Sequence, residues 1–76
     1  MGARLPILTA REIVRVLEKA GFVLHHTTGS HAQLKHVRDG LRVTVPMHGG
    51  DLPRGTVHAI LRQAGLSVEQ FLALRS

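Results

Sequence analysis

The segment Gly29-Ser30-His31 has the residue types that proton transfer beside a phosphate would need. A glycine lets the chain turn, a serine offers a hydroxyl and a backbone N–H, and a histidine exchanges a proton near neutral pH. His31 is therefore the candidate catalytic residue, and Gly29 and Ser30 are candidate contacts to the ligand. A surface histidine that follows a turn is the simpler alternative, because Gly-Ser-His alone is a weak pattern.

Three further side chains are candidate ligand contacts. Lys35 and Arg42 have the same strand parity as His31, so on a sheet they would share its face and could hold a phosphate. His48 lies between a proline and two glycines, where the backbone can approach a ligand. It is a candidate second proton-transfer group or phosphate contact, and a loop histidine without a role is the alternative.

The remaining strand histidines do not form the pattern of a metal site. His25 and His26 are adjacent, so their side chains would point to opposite faces of a strand. His26 and His36 share the parity of the core and are predicted to be partly buried edge residues. The chain has no cysteine, which removes thiolate zinc sites and disulfides. We therefore predict a site that uses neither a metal nor another cofactor.

Apolar periodicity predicts the elements that position these residues. Thr9 and Glu12 have the spacing of a helix capping box, and Asp39-Gly40 is typical of a hairpin turn. The predicted elements, in order, are a helix over residues 10–20, strands over 22–27, 31–36 and 41–45, a helix over 53–64 and a short helix that Ser67 caps. Residues 1–8 have no clear period and are predicted to be an N-terminal arm, which leaves 9–76 as one domain.

The order α-β-β-β-α predicts a two-layer α+β domain, in which a three-stranded antiparallel sheet carries the helices on one face. The apolar residues expected on that face are Leu24, Leu34, Leu41, Val43 and Val45. The opposite face is expected to be polar and to carry Thr27, His31, Gln33, Lys35, Arg42 and Thr44.

The charge balance narrows the class of partner. Ten lysines and arginines stand against five acidic residues, a net charge of +5, which favours a polyanionic partner such as nucleic acid. The chain has no tryptophan or tyrosine, so recognition by stacking bases on aromatic rings is largely excluded. Arg54, His58 and Arg62 form a basic stripe on the second helix, which would follow a phosphate backbone, meet an acidic partner or simply face solvent.

No apolar run approaches the roughly 18 residues that a membrane-spanning helix needs, so we predict a cytoplasmic protein with no membrane contact. The 76 residues suffice for a single core.

Several ordered blocks resemble the HicA family of toxins from bacterial toxin–antitoxin pairs, over roughly residues 9–71. The blocks are VLEKAGF at 16–22, GSH at 29–31, RVTVPMHG at 42–49, GTV at 55–57, ILRQAGL at 60–66 and EQF at 69–71. The start of the chain is longer than is usual in the family, and the turn at residues 37–40 is shorter. Neither departure touches His31.

The resemblance implies a fold like that of a double-stranded-RNA-binding domain, in agreement with the predicted order of elements. It also implies metal-independent cleavage of messenger RNA with His31 as the catalytic residue, and a HicB-type antitoxin protein that blocks the active face. Only His31 is a clear proton-transfer group, so a slow enzyme is expected. A non-catalytic RNA-binding module of the same fold is the alternative. A small DNA-binding protein is disfavoured because no pair of recognition helices is evident.

Overall fold

In the computed structural model, which describes residues 4–76, the chain forms the helices and strands that its periodicity predicts. The elements are β1 (Leu8–Thr9), α1 (Ala10–Lys19), β2 (Phe22–Thr28), β3 (His31–His36), β4 (Arg42–Pro46), β5 (Asp51–Leu52), α2 (Arg54–Ala64) and α3 (Val68–Arg75). The α+β class and the α-β-β-β-α order are confirmed. The short strands β1 and β5 were not predicted.

Helix α1 begins with the predicted capping box. The Thr9 hydroxyl accepts a hydrogen bond from the Glu12 N–H, and the Glu12 carboxylate accepts one from the Thr9 N–H at 2.9 Å. These two bonds satisfy backbone donors that have no partner inside the helix. The helix buries Ile13 and Leu17 completely, so its apolar stripe faces the core as predicted.

Strands β2, β3 and β4 form an antiparallel sheet in that spatial order, with β3 in the centre. Thr28 pairs with His31, so only Gly29 and Ser30 make the turn between β2 and β3. Gly29 has φ +56°, and positive φ at the first turn residue alone is what a type II′ hairpin turn requires. The tight turn therefore fixes where His31 enters the sheet.

A β-bulge in β2 changes which of its residues share a face. Leu24 pairs with Leu34, but the next paired residue is His26, opposite Gln33. His25 is thus the extra residue of the bulge, and every later residue of β2 is shifted by one position. The prediction that His26 shares the core side is therefore wrong, and so is the placement of Thr27 on the polar face. Thr27 pairs with the buried Ala32 instead.

The core lies between the sheet and the helices. Along β3 and β4 buried residues alternate with outward-facing ones. The side chains of these two strands therefore lie on the faces of the sheet that strand parity predicts. The buried members on these strands are Ala32, Leu34, Val43 and Val45, which join one apolar cluster with α1, α2 and Phe71 of α3. Both long helices therefore cover the same face, and the other face is open.

Two residues predicted for the core are exposed. Leu24 is 56% exposed, because β2 lies at the edge of the sheet and only its first residue, Phe22, is buried. Leu41 is 41% exposed, because it precedes the first residue of β4 and lies at the margin of the helix layer. Strand parity correctly predicts the face of the sheet to which a side chain points. Burial also requires that a helix lies over that position.

The chain before α1 packs on the domain. Leu5 and Leu8 are buried, and β1 pairs antiparallel with β5 through Leu8 opposite Leu52. The second half of the predicted arm therefore contributes to the core. Residues 1–3 of that arm lie outside the described residues.

Helices α2 and α3 complete the layer. α2 ends with Leu66 N–H donating to the Leu61 carbonyl, the long bond of the predicted Schellman motif. Ser67 and Gln70 form a second capping box at the start of α3. On α2, the Gln63 side-chain oxygen accepts the Thr44 N–H at 3.0 Å, which satisfies a backbone donor at the outer edge of β4.

Candidate functional site

His31 stands at one end of the open sheet face. It is the first residue of β3, it is exposed, and its strand neighbours are Thr28 on β2 and Pro46 on β4. Because Ala32 and Leu34 point into the core, His31 and Gln33 point away from it. The imidazole therefore lies on the open face beside the Gly29-Ser30 turn, where a large ligand can reach it.

The loop that follows β4 lies at the same end of the sheet. The Met47 N–H donates to the Ser30 carbonyl, which joins this loop to the turn before His31. Residues 47–50 also line a cleft of about 330 Å³ with Thr9, Ala10 and Arg11 from the start of α1. His48 lines this cleft and is exposed, with Nδ1 3.4 Å from the Gly49 carbonyl oxygen. Gly29, Ser30 and His48 are thus brought to the end of the sheet where His31 lies.

The two predicted phosphate-binding cations lie elsewhere on the same face. Lys35 and Arg42 pair directly across β3 and β4, so their charges are neighbours. Lys35 is four residues from His31 along an extended strand, which is about 13 Å. The distance is measured along the backbone, and the long side chains of Lys35 and Arg42 can extend from there toward a neighbouring phosphate of a bound strand.

The bulge brings a histidine to the open face that sequence reasoning assigned to the opposite side. His26 pairs with Gln33, and Gln33 and His31 point to the same face. His26 is therefore diagonal to His31 across two adjacent strands, a relationship that separates residues by about 7–8 Å. The polarity pattern gives a weak signal at best, because residues 25–28 are all polar and do not alternate.

The three strands that form the open face carry basic residues and no acidic ones. No aspartate or glutamate occurs in β2, β3 or β4, whereas the open-face positions of these strands include His26, His31, Lys35 and Arg42. The described acidic residues belong to the helices, a turn and β5. Without carboxylates to repel it, a polyanion can approach this face along its whole length.

Residues 4–76 were compared with the side-chain clusters of metal sites and with the helices that span membranes. Within residues 4–76 no group of three or more His, Asp or Glu side chains lies close enough to hold a metal ion. His36 is half-buried and uses both ring nitrogens in hydrogen bonds to backbone groups. No helix in the same range is long and apolar enough to cross a membrane.

The basic stripe of α2 lies on a different surface. Arg54, His58 and Arg62 are exposed on the helix layer, whereas His31 is on the opposite side of the sheet. One ligand on the open face would not contact both surfaces without bending around the domain.

Comparison with known proteins identifies a family. The model of a family described as the HicA toxin of bacterial toxin–antitoxin systems matches residues 10–66, which is most of the chain. The match includes α1, the whole three-stranded sheet, the loop with His48 and α2. No curated protein matches the sequence.

Proposed function

Because the chain belongs to the HicA toxin family, we propose that it is a metal-independent endoribonuclease that cleaves messenger RNA, with His31 as a catalytic residue. One observation carries the proposal: the exposed His31 lies on a sheet face without acidic residues, in a chain whose family consists of toxins. A toxin that acts on messenger RNA would work in the cytoplasm.

The proposed reaction uses the hydroxyl that distinguishes RNA from DNA. His31 removes the proton from a ribose 2′-OH, and the 2′ oxygen attacks the adjacent phosphorus. The bond from phosphorus to the 5′ oxygen breaks, which leaves a 2′,3′-cyclic phosphate and a 5′-OH end. His31 gains one proton, and the leaving 5′ oxygen receives one from water or from a second side chain, so the proton transfers of the proposed step are carried by imidazole and a proton donor. A positioned base of this kind contributes typically about 10²–10⁴-fold in rate.

The bound RNA strand would follow the open face. Gly29 and Ser30 in the turn and His48 in the neighbouring loop are the proposed contacts around the scissile phosphate. Lys35 and Arg42, about 13 Å away along the strand, would bind a flanking phosphate. They act on affinity and on the position of the strand, since charge contacts to phosphates position a nucleic acid without reading its bases.

The proposed protein partner is a HicB-type antitoxin. An active ribonuclease must be silenced in the cell that makes it, and a partner that docks on the open face would cover His31 or block the RNA. Charge complementarity to this basic protein would give the partner an acidic docking surface.

Cleavage of RNA in excess EDTA tests the proposal. The wild-type protein should cut a messenger RNA, and His31→Ala should lose activity by at least about 10²-fold while keeping its thermal melting curve. His58→Ala is the matched control, because it removes an exposed histidine of α2, which lies in the helix layer away from the open face. It should cleave like the wild type.

Other outcomes would overturn the proposal. Undiminished cleavage by His31→Ala would remove this residue from the mechanism. Activity that is lost in EDTA and restored by Zn²⁺ or Mg²⁺ would show that a metal is needed. A salt-dependent gel shift of RNA without any cleavage would support the alternative of an RNA-binding module.

A further inference from the structure

We propose that His26 is a second catalytic residue, the general acid that gives a proton to the leaving 5′ oxygen when His31 acts as base. The inference rests on the proposed ribonuclease function and adds the group that its mechanism lacks. A 5′ alkoxide is a poor leaving group, so its protonation in the transition state lowers the barrier to cleavage. From the sequence alone, only His48 is a candidate for such a group.

Strand register carries the assignment. Thr28 pairs with His31 and His26 pairs with Gln33, so these four side chains form the corners of one patch on the open face. The two histidines occupy diagonal corners, about 7–8 Å apart at the backbone. Both are exposed, and both belong to paired strands of the sheet rather than to loops. Their positions are thus fixed by backbone pairing before any RNA binds.

This separation suits two imidazoles that act on one phosphoryl group. Each ring nitrogen must come within about 3 Å of an oxygen on its own side of the phosphorus. A phosphate above the patch could place the 2′ oxygen at His31 and the 5′ oxygen at His26. The other two corners, Thr28 and Gln33, offer a hydroxyl and an amide that can donate to its non-bridging oxygens.

The proton balance closes with this pair. The neutral His31 takes the proton of the 2′-OH as the 2′ oxygen bonds to phosphorus. The protonated His26 gives its proton to the 5′ oxygen as the bond between that oxygen and phosphorus breaks. The products are a cyclic phosphate and a 5′-OH, with one imidazole gaining a proton and the other losing one. Proton exchange with water then restores both.

His48 is the competing candidate for this role, and the structure favours His26. His48 follows the end of β4 by two residues and lines the cleft beside the start of α1. Its Nδ1 lies near the carbonyl oxygen of its own loop. His26, in contrast, belongs to a strand of the sheet. Its strand partner Gln33 is only two residues from His31.

A substrate whose leaving group needs no proton provides the test. An RNA oligonucleotide is made with sulfur in place of the bridging 5′ oxygen at a mapped cleavage site. A thiol ionises near pH 8.5, far below an alcohol, so the thiolate leaves without a general acid. His26→Ala should cut natural RNA about 10²–10⁴-fold more slowly than the wild type and should recover to within about tenfold of it on the sulfur substrate. His31→Ala should stay slow on both.

The pH profile gives a second readout. Wild-type cleavage should rise and then fall with pH, because one histidine must be neutral and the other protonated. His26→Ala should lose the fall at high pH on natural RNA. His26→Gln, which keeps a polar side chain at this exposed position, should behave in the same way if a proton donor is what the site requires.

The outcomes separate the two proposals. A wild-type protein that cuts neither substrate would overturn the ribonuclease function itself. Wild-type cleavage combined with an undiminished rate in His26→Ala would overturn only the role of His26. Equal losses on both substrates would show that His26 does not protonate the leaving group. Rescue by sulfur in His48→Ala or His25→Ala, and not in His26→Ala, would assign the acid to that other histidine and overturn the inference.

Discussion

The Nε2 atom of His36 lies 3.0 Å from the carbonyl oxygen of Ala20, which joins the end of the central strand β3 to the end of α1. On the other side of the ring, Nδ1 accepts the backbone N–H groups of Arg38 and Asp39, each at 3.1 Å. This geometry makes Nδ1 the acceptor and leaves Nε2 as the donor to the Ala20 carbonyl. The Asp39 carboxylate is 3.7 Å from Nδ1. Because two N–H donors already face that atom, we interpret their hydrogen bonds, and not the carboxylate contact, as the main interactions of Nδ1.

Replacement of His36 by phenylalanine should destabilise the domain. The ring volume and the edge-to-face contact with Phe22, at 5.0 Å between centroids, would be largely kept. The hydrogen bonds to Ala20, Arg38 and Asp39 would be lost, which should cost about 1–3 kcal/mol. Urea denaturation followed by circular dichroism would measure the change. No loss of stability would mean that these bonds are replaced by water without cost.

Acid should weaken the start of α1 through Glu12. Hydrogen bonds from the Thr9 backbone and then its side chain, together with the charge of Arg75, lower the pKa of the Glu12 carboxyl. A group whose pKa is lower in the folded state stabilises the protein above its unfolded pKa, and this contribution is lost as the pH falls through the folded value. Glu12→Gln keeps the capping-box pattern without the charge. Its melting temperature should lie below that of the wild type at pH 7, and the gap should close at low pH. A gap that widens in acid would contradict this linkage.

The two cations at the far end of the open face should contribute to RNA affinity through salt-dependent contacts. In a His31→Ala background that prevents cleavage, Lys35→Ala or Arg42→Ala should each reduce the slope of log K against log salt by about 0.7 for a single strand. Arg15→Ala is the control, because this exposed cation lies on α1 in the helix layer. Slopes equal to that of the parent in all three variants would show that neither strand cation contacts a phosphate.

The segment before α1 should behave as part of the core. Leu8 is completely buried whereas its neighbour Ile7 is 64% exposed. Leu8→Ala should therefore cost about 2–5 kcal/mol in unfolding free energy. Ile7→Ala is the matched control and should change stability by less than about 0.5 kcal/mol. Similar small effects for both would mean that this segment is an arm whose packing adds nothing to the domain.

The proposed antitoxin should protect His31. In a complex with a HicB-type antitoxin protein, diethyl pyrocarbonate should modify His31 much more slowly than in the free protein, as read by mass spectrometry. Association should slow as salt rises, because an acidic partner would be steered to the basic toxin. Equal reactivity of His31 in the free protein and in the complex would show that the partner acts without covering this face.

The sequence by itself determined the three helices, the three strands of the main sheet and the caps of α1 and α3, because these depend on local interactions. The pairs Thr9–Glu12 and Ser67–Gln70 form capping boxes in the structure as their spacing predicts. The periodicity of apolar residues likewise predicted the helices and the buried residues of β3 and β4, because side-chain direction repeats with a fixed period in a helix and in a strand. The position of His31 at the start of a central strand follows from the same reasoning.

Only the tertiary structure decided how β2 meets β3 and which positions the helices cover. The bulge at His25 shifts His26 to the face of His31, and no local rule fixes where an extra residue is placed in a strand pair. Leu24 has core parity and is exposed because β2 extends past the reach of the helices, whereas Leu8 is buried because β1 pairs with β5. These outcomes depend on contacts between segments that are distant in sequence, and those contacts are set by how the layers pack together.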